Sequence, residues 1–242
     1  MIATTDGDQE LAEEIVEEIS EIIWDRRHGF SIDLVLTPLE EAIERAVSSE
    51  GPIILADEGD NPAGGGPADS TFILNELKRW EWPRATLIIR DEEVVEEAIR
   101  AGIGEEIRTR VGGKTDNLHG EPVDVKARVK TLSDGVFYNP LLRRWIDVGR
   151  TVVLRTGETD IVVTSLPMQS QVHPACFEFT GIDVKRKKII IVKSAHYFRA
   201  GFVPEIDPRM ILEVDTPGVT TPNPFRVTYS KVKRPIYPLD KL

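Results

Sequence analysis

The chain has 242 residues, 40% of them hydrophobic and 29% charged, and a formal net charge of −11. That composition supports a packed core and excludes a disordered polar chain, while a single cysteine, Cys176, excludes an internal disulfide scaffold. The negative charge argues against nucleic acid as a partner. No apolar run nears the ~18 residues of a membrane span, and nine acids precede the first basic residue, Arg26, the reverse of a leader peptide. The cytoplasm is therefore the expected location.

Residues 8–25 read as an amphipathic helix, with Leu11, Ile15, Ile19, Ile22 and Ile23 on one face and glutamates opposite. A second helix is expected over 38–48, with Thr37 as its cap, Pro38 in its first turn and Glu40 completing a capping box; Gly51 and Pro52 follow it. The run at 53–57 reads as a buried strand, followed by a glycine-rich loop and a helix near 69–80 capped by Asp69. Residues 85–90 give the next strand, Asp91 opens another helix and Gly102 closes it.

Beyond about residue 105 strand-like segments dominate: 107–111, 123–132, 151–156 and 160–165. At the end, 188–193 and 210–215 read as strands around a short helix in 195–202, and 216–224 reads as a turn-rich surface stretch. The predicted fold class is α/β, with a mixed, largely parallel sheet flanked by helices and a β-rich insertion in the second half. No linker is evident, so 1–242 reads as one domain, with a βα-rich part at 1–104 and a mixed β-rich part at 105–242.

Three loops carry the residues with chemical potential. The first, 57–69, leaves the end of a parallel strand, where α/β sheets bind ligands. Its glycines permit close backbone approach, but it lacks a P-loop's Gly-Lys-Ser/Thr. Its clustered Asp57, Glu58 and Asp60 would repel phosphate and suit metal binding, acid/base work or orienting a neighbour's ligands. The plain alternative is a tight turn. The second loop, 111–120, presents Lys114, Asp116 and His119 from a Gly-Gly turn. The third, 193–199, presents Lys193, His196 and Arg199, the last two expected on one helical face. Exposed hairpin residues and a structural histidine are the plain alternatives for these two. If all three strands run parallel, the loops meet on one sheet edge and carboxylates face cations. His173 and Cys176 read as core packing, and His28 as a helix-end cation.

The same loops carry a family resemblance. Thr5-Asp6-Gly7, the run 57–66 with Asp69-Ser70-Thr71, Gly112 to Asp116 with His119-Gly120, Lys193-Ser194, His196 to Ala200, Asp215 to Gly218 and Arg234 to Asp240 occur in order. In these pieces the chain resembles the C-terminal domain of the microcystinase-C (MlrC) type zinc metallopeptidases. Such proteins are about twice this length, and the resemblance implies that their zinc ligands lie mainly in an N-terminal half with no counterpart here. It also implies that Asp60, Asn61 and Pro62 line the same cleft as catalytic residues, completing the active site, with Asp60 positioning substrate, water or a metal ligand.

On that basis the expected function is the C-terminal domain or subunit of a peptide or amide hydrolase, inactive without a zinc-bearing N-terminal partner. Gly64, Gly65, Gly66, Lys114, His119, Lys193, His196 and Arg199 are assigned to substrate binding from residue type and position. No metal is expected in this chain alone. A natural split subunit, a fragment and a domain reused alone all remain open. Two other functions stay in view: a stand-alone module binding an anionic small molecule, and a self-sufficient metalloenzyme using Asp57, Asp60, His119 and His196 as ligands. The acidic stretch 6–25 and the basic stretch 185–199 also allow a homo-oligomer. Three glutamines and five asparagines lean towards a thermophilic source.

Overall fold

The computed structural model describes residues 1–29, 36–169, 171–204 and 206–240. The chain divides into two compact units, 1–35 and 36–242. The first holds helix α1, Gln9–Asp25, close to its predicted limits. Its start is set by Asp8, whose carboxylate accepts from the Leu11 N–H at 3.0 Å. Among the described residues, no helix is long and apolar enough to cross a membrane.

The second unit is a nine-stranded sheet with helices. In chain order it runs β1 (Thr37–Pro38), α2 (Leu39–Ser48), β2 (Ile53–Asp57), α3 (Phe72–Arg79), β3 (Ala85–Arg90), α4 (Glu92–Ala101), β4 (Glu106–Val111) and β5 (Val123–Ser133). Then come β6 (Val136–Asn139), β7 (Arg144–Asp147), β8 (Thr151–Thr156), β9 (Thr159–Thr164), α5 (Ala175–Glu178), β10 (Ile189–Val192), α6 (Arg199–Phe202) and β11 (Ile211–Asp215). The sheet order is β1-β11-β2-β10-β3-β9-β8-β5-β4. Neighbours from β1 to β9 are parallel, and those from β9 to β4 are antiparallel. This is the mixed, largely parallel sheet that the strand–helix alternation predicts.

The sheet is buried on both faces because its central strands are apolar throughout rather than alternating. Leu55, Leu87, Ile89, Val163 and Ile191 pack with Ile43 of α2, Leu74 and Leu77 of α3 and Val94 and Val95 of α4. Their neighbours Ile54, Ile88, Val162, Ile190 and Val192 face a second core with Cys176, Phe177, Phe198 and Phe202. Residues one apart in β2 thus serve opposite cores, as a two-residue period requires. β6 and β7 form a separate antiparallel ribbon. From it Phe137 is stacked on Phe179 with ring centroids 4.6 Å apart.

Several local details differ from expectation. Thr37 pairs with Val214 in β1, and α2 begins after Pro38 with no side-chain cap. Helix α3 begins at Phe72 rather than near 69, because the Asp69 carboxylate is engaged by another loop. Helix α6 starts only at Arg199, so His196 and Arg199 do not share a helical face. Strand β4 is antiparallel to β5, so the 111–120 loop does not leave a parallel strand.

At the sheet edge away from those loops, buried Asp160 collects three cations. Arg155 Nη2 donates to it at 2.7 Å, Lys130 Nζ at 3.1 Å, and Lys187 Nζ lies 2.8 Å away. Burial alone would raise this carboxyl, but the Arg155 and Lys187 hydrogen bonds prevail and hold it down at about 2. A depressed folded pKa contributes stability above the unfolded value, and this is lost as pH falls through the folded one. We therefore expect Asp160 to contribute about 2 kcal/mol at pH 5 and to lose it towards pH 2. Urea unfolding of the native chain and Asp160→Asn at both pH values reads this as a gap that closes in acid.

Candidate functional site

The carboxyl ends of β11, β2 and β10 lie side by side, and the residues just beyond them form two polar groups on opposite faces of the sheet. The first is sealed. Lys193, one residue past β10, places its ammonium 2.7 Å from Asp57 Oδ2 and 3.0 Å from Asp60 Oδ2. All three side chains are buried. Burial would lower the Lys193 pKa, but the two carboxylates outweigh it and hold the ammonium above its ordinary value. Thr216 donates to Asp57 Oδ1 at 2.6 Å, which accounts for both oxygens of that carboxylate.

Asp60 orders the glycine-rich loop. Its Oδ1 accepts from the Ala68 N–H at 2.8 Å and its Oδ2 from the Ser70 N–H at 2.7 Å. Asn61 turns the chain: its side-chain oxygen accepts from Ala63 N, and its carbonyl from Gly64 N and Gly66 N, each at 2.9 Å. Pro62 and Gly66 are buried, whereas Gly64 and Gly65 are exposed. The loop is also bound to 216–220, which the turn-rich composition had placed on the surface. Thr220 Oγ1 donates to the Glu58 carbonyl at 2.7 Å and accepts from Asn61 N at 2.8 Å.

Glycine is required where these segments cross. A Cβ on Gly218, at φ +143°, would lie 2.0 Å from the Gly59 carbonyl oxygen, and one on Gly59 would lie 2.4 Å from that of Pro217. Backbone rather than a movable side chain is the obstacle on each side. Gly218→Ala should therefore cost about 1–3 kcal/mol, measured as a lower urea midpoint with an unchanged slope.

The Gly-Gly loop reaches this edge by hydrogen bonding, although its strand runs the other way. Asp69 Oδ2 accepts from Lys114 N at 3.0 Å and Thr115 N at 2.9 Å, while Asp91 Oδ2 accepts from Gly112 N at 2.9 Å. The Lys114 ammonium donates to Asp91 at 3.0 Å and Glu93 at 2.8 Å. Partial burial would lower its pKa, but those two carboxylates raise it. His119 is buried between Asp116 Oδ1, 2.8 Å from Nδ1, and the Val219 N–H, 3.3 Å from Nε2. An accepting Nε2 assigns the proton to Nδ1. Lys114 and His119 thus fasten loops together, and each is engaged within the chain.

The second group, on the other face, is open. Glu58, His196 and Glu213 place one possible ligand atom each within 4.8 Å of one another. Arg199 Nη2 donates to Glu213 Oε1 at 2.6 Å. His196 is 68% exposed at its side chain, while Glu58 is 3% exposed and its Oε1 has no hydrogen-bond partner. Burial first, then the charge of Glu213, push the Glu58 carboxyl up to about 7 although Arg199 opposes them. One imidazole and two carboxylates fit a divalent ion of the first transition row. Among the described residues it is this trio that comes together, rather than the set Asp57, Asp60, His119 and His196.

Glu213 was not singled out from the sequence, although a lone carboxylate inside the apolar run 210–214 is the signal that could have marked it. Thr216, the hydroxyl that holds Asp57, was missed too. His173 Nδ1 accepts from Ala175 N at 3.1 Å, and Cys176 is fully buried, with burial pushing its thiol pKa up. Cys176 fits core packing, whereas His173 is only half-buried and binds the first backbone N–H of α5.

The comparisons with known proteins agree with this architecture. Microcystinase C of Sphingomonas sp. is 32% identical over 152 residues, covering 62% of this chain and 30% of that protein. A crystal structure from Mesorhizobium sp. BNC1, provisionally named a metallopeptidase, matches with a TM-score of 0.81 and 26% identity over 96% of this chain and 46% of that one. The chain therefore spans less than half the length of either relative. A family model described as the MlrC C-terminus matches residues 55–231, from the middle of β2 through the strap at 216–220. Since that span takes in all three loops and most of the sheet, the chain belongs to the MlrC C-terminal family.

Proposed function

We propose that the carboxyl edge of the sheet lines the active-site cleft of a two-part, metal-dependent peptide or amide hydrolase. The observation that carries this reading is the apolar rim of that edge. Leu118, Tyr197 and Val219, on three different loops, are 51%, 57% and 54% exposed. Exposed apolar side chains around polar groups suit a docked partner, and the relatives supply a candidate in the N-terminal part this chain does not span. In this reading the partner carries the catalytic zinc, which when bound would activate water and polarise the scissile carbonyl.

This chain's own residues hold and orient. Asp60 is sealed from solvent, so it acts by closing the glycine-rich loop through the Ala68 and Ser70 N–H groups, with the Lys193 ammonium beside it. The exposed Gly64 and Gly65 let substrate approach the main chain. Arg199 offers a cationic contact and His196 a hydrogen-bonding one to a substrate carboxylate or a developing oxyanion. Lys114 and His119 keep the second loop beside them.

Mixing this chain with a zinc-loaded N-terminal half from a family member tests the reading. A stable complex should form and hydrolyse a fluorogenic peptide set that neither half cleaves alone. Leu118→Asp with Val219→Asp should weaken the complex and its turnover about tenfold or more, as expected for apolar contacts at an interface centre. Full activity of this chain alone, or no complex at any tested concentration, would overturn it.

A further inference from the structure

We propose that this chain holds a divalent transition-metal ion of its own, bound by Glu58, His196 and Glu213. The site is distinct from the zinc assigned to the partner and does not depend on that assignment. Glu58 follows β2, Glu213 lies in β11 and His196 follows β10, so three adjacent parallel strands deliver one ligand each. Register explains the alignment. Glu213 pairs with Ala56, two residues before Glu58, so both glutamates rise from the same face of the sheet. The donor set is one imidazole and two carboxylates within 4.8 Å of each other, and the exposed imidazole leaves an open side for a water or an incoming group.

Carboxylate clusters are common without a metal. This one differs because Glu58 is 3% exposed and its Oε1 is buried with no partner. Arg199 does not supply what is missing, since its hydrogen bond goes to Glu213 Oε1. A buried carboxylate oxygen without a donor is costly, and a cation between Glu58 and His196 would satisfy it. Glu213 has a second oxygen for that ion while Arg199 keeps the first. The imidazole favours Zn²⁺ or a similar first-row ion over Mg²⁺ or Ca²⁺, which prefer oxygen ligands alone.

The experiment is titration of Zn²⁺ into the full, chelator-stripped chain, read by calorimetry and by elemental analysis after dialysis. Co²⁺ absorption in the visible range reports the donor set. The native chain should bind about one ion. Because loss of an outer hydrogen-bond partner already costs about 10–100-fold in affinity, losing a direct ligand should cost at least about tenfold. We expect that loss in Glu58→Gln, nearly isosteric, and in His196→Ala, an exposed position that leaves the fold intact by circular dichroism. Arg199→Gln should tighten binding by removing a competing cation. An absent Zn²⁺ signal, or an affinity unchanged in either ligand variant, would overturn the proposal. Failure of the two-part hydrolase would not, because this measurement uses no partner and no turnover.

Discussion

Lys193→Met should lower the stability of the chain by about 3–5 kcal/mol, the usual cost of breaking a buried ion pair by removing one partner. The size follows from what remains. Asp57 and Asp60 would keep their places, buried, with the ammonium gone from 2.7 and 3.0 Å. Thr216 and the Ala68 and Ser70 N–H groups would still donate, but no positive charge would remain among these contacts. At roughly 2–4 °C per kcal/mol for a chain of this size, the melting temperature should fall by about 10 °C. Adding Asp57→Asn should recover part of the loss, and a double-mutant cycle would measure the coupling. A fall of only a degree or two would mean that water reaches the pair and screens it.

Glu58→Gln should act in the opposite direction and depend on pH. The folded carboxyl is raised from 4.5 to about 7, so the native state binds a proton more tightly than the unfolded chain. Its contribution is fully present below the unfolded pKa and is lost as pH rises through the folded one. Above pH 7 the ionised, buried side chain should burden the metal-free protein by about 2–3 kcal/mol, and glutamine carries no such charge. The variant should thus be more stable than the native chain at pH 8 and nearly equal to it at pH 4. Urea midpoints in the presence of chelator would show the two curves diverging with pH. Parallel curves would place Glu58 in contact with solvent.

Much of the framework was legible from pattern. β2, β3 and β10 are short apolar runs, α1 and α4 have clear amphipathic spacing, and Asp91 and Gly102 mark the ends of α4 as their side-chain chemistry dictates. The residues that departed from expectation have tertiary partners that outcompete local ones. Asp69 has the right chemistry for a helix cap, yet two backbone N–H groups from Lys114 and Thr115 claim its carboxylate. The stretch 216–224 has a turn composition, but Thr216 and Thr220 are consumed by residues some 160 positions earlier. The β6–β7 ribbon escaped notice because four-residue strands give too little alternation to stand out.

At the site, residue types were legible and pairings were not. Lysine at a strand end beside a loop of acids correctly suggested opposite charges meeting. Nothing in spacing alone says that Lys193 is enclosed by Asp57 and Asp60 while Arg199 stays partly open beside Glu213. That division follows from the two-residue period, which sends Asp57 to one face and Glu58 to the other.

The strap formed by Thr216 and Thr220 also bears on the order in which the chain folds. Asp57 and Glu58 are made well before the hydroxyls that bind them, which lie 159 and 162 residues downstream. Closing so long a loop is slow relative to forming local helices and strands, and domains emerge from the ribosome N-terminal end first. During synthesis the acidic loop after β2 therefore waits for its countercharge until Lys193, 136 residues beyond Asp57, and for these hydroxyls until 216–220. This edge of the molecule is accordingly among the last parts to be completed, and a nascent chain stalled before residue 216 would expose it.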